Sequence, residues 1–440
     1  MLLTQLPGYF KSRRDSLMRS HPGAAFVFPS HPDCIRNSDV HFPFRQESNF
    51  FYLTGLEEPD SCLVLAPTSS KPGLYKMFLF VLPRNPEKEM WEGERYGLEG
   101  AQKIFGADES YPIHELDTQL PEILQASEKV FYRLGLHPEM DRRMTTALES
   151  RRRSQGRSGK GLLPLEDPNG PLGEMRLFKS SEEIELMRKG CKITAAAHQA
   201  VMSEVRPGMN EGEIEALVDY LFRKNGCQRL GYPSIVAGGK NATCLHYRSN
   251  NELLKDGDLL LLDAGGEYQY YSADITRTFP VGKEFTASQA RAYDLVLRAQ
   301  KEGISMARPG VTLSQIHHQV CSVIVDGLLS LNLLKGKAEE ILKTGEYRRF
   351  YPHQTSHWMG MDVHDVGLYL QGGEPRRLEA GMVFTIEPGF YVQPSDPGAS
   401  EFRNIGIRIE DDILITAGGC EVLTRDVIKE RAEIVAVKNG

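Results

Sequence analysis

Carboxylates that close apolar strands constrain this chain more than any other feature. Leu259-Leu260-Leu261-Leu262-Asp263 ends a leucine run on an aspartate, and Gly381-Met382-Val383-Phe384-Thr385-Ile386-Glu387 ends a second apolar run on a glutamate. Gly406-Ile407-Arg408-Ile409-Glu410 alternates, with Arg408 and Glu410 on one strand face and Ile407 and Ile409 on the other. Asp274 follows Gly265-Gly266 by a few residues. A chain doubling back at those glycines brings Asp263 and Asp274 together across an antiparallel pair. Burying an isolated carboxylate is expensive, so the fold must supply cations or paired bases. Taken singly, Asp263 and Asp274 read as an N-cap and a turn residue, and Arg408 as the partner of Glu410. One arginine cannot neutralise four carboxylates.

Histidines supply the rest of the set. Tyr351-Pro352-His353-Gln354-Thr355-Ser356-His357-Trp358 holds two of them four apart, and Asp362-Val363-His364-Asp365 follows. With His246, in Cys244-Leu245-His246-Tyr247, these occupy apolar or aromatic settings, where a histidine standing alone reads as a core residue. Asp263, Asp274, Glu387 and Glu410 with one histidine form an oxygen-rich set suited to two divalent ions, manganese or magnesium ahead of zinc. Two metals sharing carboxylates acidify a water and polarise a carbonyl, so the residues point to a two-metal hydrolase and leave the bond it cuts open. The chain has no His-Glu-x-x-His, Walker, Gly-x-Ser-x-Gly or Rossmann motif.

A length of 440 residues suits two domains. Apolar runs at residues 24–28, 62–66, 76–81 and 129–132 alternate with a helical pattern over 113–127, predicting a small α/β domain over 1–170. Residues 167–173 are dense in turn formers and read as the linker to a domain over 171–440. That second domain opens on a capping box at Ser180 to Glu183. Its first helix stops at Arg206-Pro207-Gly208, and Asn210 caps the next; 102 residues on, Arg308-Pro309-Gly310 stops another helix and Thr312 caps a fourth. The recurrence predicts two similar halves with any site at their seam. The fold class is therefore α/β (α+β) in two domains. A net charge of −7 offers no general attraction for nucleic acid or anionic membrane. The basic run at 151–160 reads as a solvated helix end or as a nucleic-acid or sorting patch. No apolar stretch approaches the ~20 residues of a membrane span, and the first residues lack signal-peptide features. The 7 cysteines form no Cys-x-x-Cys pair, which suits reduced thiols and a cytoplasmic location.

At these residues the chain resembles the metal-dependent "pita-bread" peptidases (peptidase family M24), whose members include methionine aminopeptidase, prolidase and Xaa-Pro aminopeptidase (aminopeptidase P). The aminopeptidase P branch fits best. The resemblance runs through 43–55, Glu174-Met175-Arg176-Leu177-Phe178-Lys179-Ser180, Asp263-Ala264-Gly265, Asp274-Ile275-Thr276-Arg277, Ser356-His357-Trp358, His364-Asp365-Val366-Gly367, Glu387-Pro388-Gly389 and 406–410. It implies a creatinase-like N-terminal domain and a pita-bread catalytic domain. It also implies two metal ions per subunit, with manganese the expected metal, and hydrolysis of the bond between an N-terminal residue and a following proline by a metal-bridging hydroxide. Asp263 and Asp274 would bind one ion, His357 and Glu387 the other, and Asp274 and Glu410 would bridge. Glu387 would accept the proton, His246, His353 and His364 would surround the substrate and stabilise the oxyanion, and Arg408 would orient Glu410 or shape the pocket. The expected partners are peptides with proline second and further copies of the chain in a dimer or tetramer. Trp91 reads either as core or as a wall of a neighbouring site. Gln354 departs from the family's His-Gly-x-x-His and bears on substrate preference. The alternatives are a prolidase acting on Xaa-Pro dipeptides and a non-catalytic binding protein on the same fold.

Overall fold

The computed structural model describes residues 8–68, 73–158 and 161–440; the readings at residues 1–7 and at Gly159 and Lys160 lie outside the described residues. The chain divides into two units, Met1–Gly173 and Glu174–Gly440. In the first, six strands form one mixed sheet: β1 (Ala24–Pro29), β2 (Cys62–Pro67), β3 (Tyr75–Val81), β4 (Glu109–Pro112), β5 (Lys129–Phe131) and β6 (Leu165–Glu166), in the order β4-β3-β2-β1-β5-β6. Ala25 and Val27 pack with Leu116, Leu120 and Met144 from the helices Leu116–Ile123 and Pro138–Ser154. Phe26 alternates to the other face and stacks on Phe131 with ring centroids 4.5 Å apart. Burial on both faces is why these strands read as unbroken apolar runs.

One expectation is corrected here, and two open alternatives are decided. The turn-rich stretch at 167–173 does not form a loop linker but enters a helix, Asn169–Leu177. Asp167 Oδ1 accepts from the Asn169 amide at 2.8 Å, and Pro171 sits in the first turn, where its missing N–H is harmless. Trp91 is 87% exposed on the helix Pro86–Glu92, so it is not core. In the basic run, Arg151 is buried and donates to the Gln125 and Ser127 carbonyls, while Arg153 pairs with Glu149; this is a helix end and not a continuous basic surface.

The second unit is built twice. Helix α1 (Ser181–Glu204) opens on the Ser180/Glu183 capping box and α2 (Glu211–Lys224) on Asn210. Helices α3 (Ala287–Met306) and α4 (Leu313–Ser330) repeat the pair, with a Thr312/Gln315 capping box on α4. The two Arg-Pro-Gly stops share hydrogen bonds as well as residues. Gly208 N donates to Leu254 O and Gly310 N to Leu378 O, both at 2.8 Å; Leu254 and Leu378 donate back to Met209 O and Val311 O. Both glycines hold positive φ, +90° and +87°, which a Cβ would strain. Each pair of helices leads to an antiparallel three-stranded sheet. The first is β7-β8-β9 (Ile235–Gly238, Leu259–Asp263, Thr276–Pro280). In the second half, β10 (Val383–Ile386) is followed by the two-stranded pair β11 (Gly389–Tyr391) and β12 (Gly406–Arg408), then by β13 (Asp411–Thr416) and β14 (Gly419–Val422); β10, β13 and β14 form the sheet in the order β10-β13-β14.

Candidate metal centre

Strand register assembles the centre. Asp263 closes β8 opposite Thr276 on β9, and Asp274 stands two residues before that pair, so the expected convergence of the two aspartates occurs. Tyr232 Oη lies 2.5 Å from Asp263 Oδ1 and also bonds Asp274 Oδ1, spanning both carboxylates. In the second half, residues 355–359 run beside β10: Thr385 N donates to His357 O at 3.0 Å and Glu387 N to Thr355 O at 2.9 Å. That pairing fixes His357 next to Glu387, with Nε2 to Oε1 at 3.7 Å. The halves meet where Glu410 N donates to Thr276 O at 3.1 Å and Thr276 Oγ1 donates to Glu410 Oε2 at 2.6 Å. His357 Nε2 lies 3.3 Å from Asp274 Oδ2, and ligand atoms of Asp274, His357 and Glu410 fall within 4.8 Å of one another.

Burial and like charge together set the protonation of this cluster. Burial, then the charges of Asp274, Glu387 and Asp263, push the Glu410 carboxyl well above its ordinary range. Glu387 rises to about 7 through burial, with Asp274 and Asp263 adding to it and His357 and Arg408 opposing. Burial alone would lower His357, but its bond to Asp274 and the charges of Glu387 and Asp274 lift it to about 9. The protons held here are those a cation displaces on binding. His357 Nδ1 donates to Trp358 O at 3.0 Å, so Nε2 is the nitrogen that faces Asp274 and Glu387, and it would offer its lone pair to a cation that displaces its proton. Four carboxylates and one oriented imidazole fit divalent cations.

Arg408 corrects another expectation. Its Nη2 is paired with Asp263 Oδ2 and not with Glu410. It reaches Glu410 only through Thr276, whose Oγ1 accepts from Arg408 Nε at 3.1 Å. Arg408 Nη1 also donates to Tyr391 Oη at 3.0 Å, and that hydroxyl lies 2.9 Å from His353 Nε2. His353 is 3.6 Å from Glu387 Oε2, and burial followed by Arg408 lowers it to about 3, so the ring is neutral. His364 and His246 are exposed and not core, which corrects the apolar-setting reading of both. His364 meets the His357 ring edge-on at 4.4 Å, and His246 lies close enough to bias both His353 and His364 electrostatically. Gln354 is exposed, and its carbonyl accepts from His353 Nδ1.

Sequence reading missed Tyr232, Thr276 and Tyr391. Tyr232 gave no signal, being one aromatic in a Gly-Tyr-Pro-Ser turn. Removing its hydroxyl leaves the two aspartates without their shared donor. Tyr232→Phe is therefore expected to weaken metal affinity by about 10–100-fold, measured by competition with a chromogenic chelator.

Two comparisons decide the family. Residues 185–417 match metallopeptidase family M24, and residues 10–132 match the aminopeptidase P N-terminal domain. The chain belongs to metallopeptidase family M24. This M24 chain is 39% identical over 429 residues to the Xaa-Pro aminopeptidase of Escherichia coli (strain K12), covering 97% of each chain. It superposes on proline aminopeptidase P II from Yersinia pestis with a TM-score of 0.94 at 39% identity, covering 99% of this chain and 100% of that one. Zinc-substituted E. coli aminopeptidase P in complex with product gives 0.93 at 39% identity over 98% of both chains.

Proposed function

We propose that this chain is a metal-dependent Xaa-Pro aminopeptidase, releasing the N-terminal residue ahead of a proline. The observation that carries this reading is the convergence of Asp274, His357 and Glu410 within 4.8 Å, beside Asp263 and Glu387, in a chain alike end to end to Xaa-Pro aminopeptidases. Two manganese ions would be held by Asp263, Asp274, His357, Glu387 and Glu410. When bound, such ions polarise the scissile carbonyl and acidify a water. The protein's own groups do the rest. Glu387 takes the proton, since Oε2 lies beside the neutral His353. His246, His353 and His364 surround the reacting carbonyl, and His246 and His364 donate to its developing oxyanion; His353, whose Nδ1 proton goes to Gln354 O, lines that wall through Tyr391. Arg408 holds Asp263 in place.

The catalytic domain is assigned to 171–440 and the N-terminal domain to 1–170. A cytoplasmic location is supported by seven free cysteines, Cys62 among them buried and pushed up to about 12 by burial. Among the described residues no helix is long and apolar enough to cross a membrane. Association into a dimer or tetramer is supported by Met90 and Trp91, 82% and 87% exposed on one short helix.

The test is product analysis with manganese on Xaa-Pro-Xaa tripeptides and Xaa-Pro dipeptides. Release of the first residue from the tripeptide, abolished by chelation and in Asp263→Asn, is the expected result. Cleavage of dipeptides alone would make the chain a prolidase, absent cleavage would leave the non-catalytic reading, and cleavage that survives chelation would overturn the metal-dependent mechanism.

A further inference from the structure

His246 sits in an exposed turn, yet that turn is held from below by a buried carboxylate. Glu211, the first residue of α2, is fully buried. Its Oε1 accepts from Gly238 N at 2.8 Å and Asn241 Nδ2 at 2.9 Å; its Oε2 accepts from Tyr247 Oη at 2.9 Å and Glu252 N at 3.0 Å. Those four donors span residues 238–252, the whole segment that carries His246. Among the described residues no lysine, arginine or histidine forms an ion pair with Glu211. Four donors and the positive end of α2 make burial of its charge tolerable.

The surroundings fit a brace. Glu211 N donates to Glu252 O at 3.0 Å and Asn210 Nδ2 to Asn251 O at 2.9 Å, closing the base of the segment onto the helix start. A Cβ on Gly238 would lie 2.5 Å from Leu254 Cδ2 and 3.4 Å from Glu211 Oε1, so any larger residue there would have to displace the Leu254 side chain packed beside the carboxylate. Leu245 and Tyr247, on either side of His246, pack against a cluster that includes Leu261 of β8 and Tyr391, the residue that bonds Arg408 and His353. Holding both neighbours leaves His246 little freedom to leave the site.

We infer that Glu211 is a positioning residue: through Tyr247, Asn241 and the backbone at 238 and 252 it holds His246 against the substrate carbonyl. This rests on the role proposed above for His246. A group aimed at an oxyanion loses most of its effect when displaced by about an ångström, whereas the metal ligands lie on other elements and are untouched.

The experiment is a mutant cycle on the manganese-loaded full chain with an Xaa-Pro-Xaa tripeptide. His246→Ala is expected to lower kcat about 100-fold and Glu211→Gln about tenfold, with bound manganese per chain unchanged in both. Tyr247→Phe, which removes one bond and no charge, gives a smaller loss of the same kind and serves if Glu211→Gln folds poorly. In the His246→Ala background, either substitution costs nothing further. Full multiplication of the two losses would overturn the inference, as would wild-type kcat in both Glu211→Gln and Tyr247→Phe. Wild-type kcat in His246→Ala itself would overturn it from the other side, by removing the role of His246 while tripeptide cleavage stands.

Discussion

Asp274→Asn yields a folded protein with less than about one-thousandth of the wild-type hydrolytic rate, a loss near 4 kcal/mol of transition-state stabilisation. Asp274 Oδ2 is 3.3 Å from His357 Nε2, and Asp274 shares a tight group with Glu410 and His357. Asparagine replaces one carboxylate oxygen by an NH2 that donates and cannot ligate a cation. In the metal-free protein the same change acts the other way. Asp274 is a leading contributor to the raised Glu410 and Glu387, so removing its charge relieves repulsion in a buried cluster. The metal-free variant should melt about 2–4 °C above metal-free wild type, while manganese, which raises the wild-type Tm, leaves the variant's unmoved. Calorimetry with and without manganese checks both signs. An active variant, or one less stable without metal, would contradict the assignment of Asp274 to the centre.

The second expected result is a stabilisation by manganese that grows with pH. Glu387 is raised from 4.5 to about 7 and His357 from 6.5 to about 9. Both groups bind their protons more tightly folded than unfolded. Their contribution to metal-free stability is present in full below the unfolded values and is lost as pH rises through the folded ones. Metal binding removes those protons, so manganese competes with them and gains as pH climbs. Between pH 6 and 8 the manganese-induced rise in Tm should increase steadily, with net proton release seen by titration calorimetry in buffers of different ionisation enthalpy. A Tm gain that is flat with pH would show that the cluster and the ion do not share ligands.

Much of this centre was legible because the sequence places acids where apolar strands end. Leucines at 259–262 and the run at 382–386 left Asp263 and Glu387 as the charges that a strand must carry into the interior. The duplication was legible from two Arg-Pro-Gly stops, whose glycines take the same backbone bond in both halves. Partner choice was not legible. Glu410, Asp411 and Asp412 are adjacent acids with three fates: Glu410 enters the cluster, Asp411 pairs with buried Arg277 at 2.7 Å, and Asp412 accepts from the Asp274 amide at 3.0 Å. Only the register of β9 against 408–411 separates them. The direct pairing of Arg408 with Glu410 failed for the same reason, since alternation puts the two side by side on one strand while the guanidinium crosses to Asp263 on another and reaches Glu410 through Thr276. Residues 167–173 misled because proline and glycine, usual turn formers, also start helices when a capping aspartate precedes them.

The most direct measurement is titration of the chelated, metal-free chain with manganese while tripeptide hydrolysis is followed. The expected result is no activity without metal, a rise to a plateau at two equivalents per chain, and none at any equivalence in Asp274→Asn. Full hydrolysis by the metal-free chain, or a titration that Asp274→Asn leaves unchanged, would contradict a dinuclear centre built from Asp263, Asp274, His357, Glu387 and Glu410.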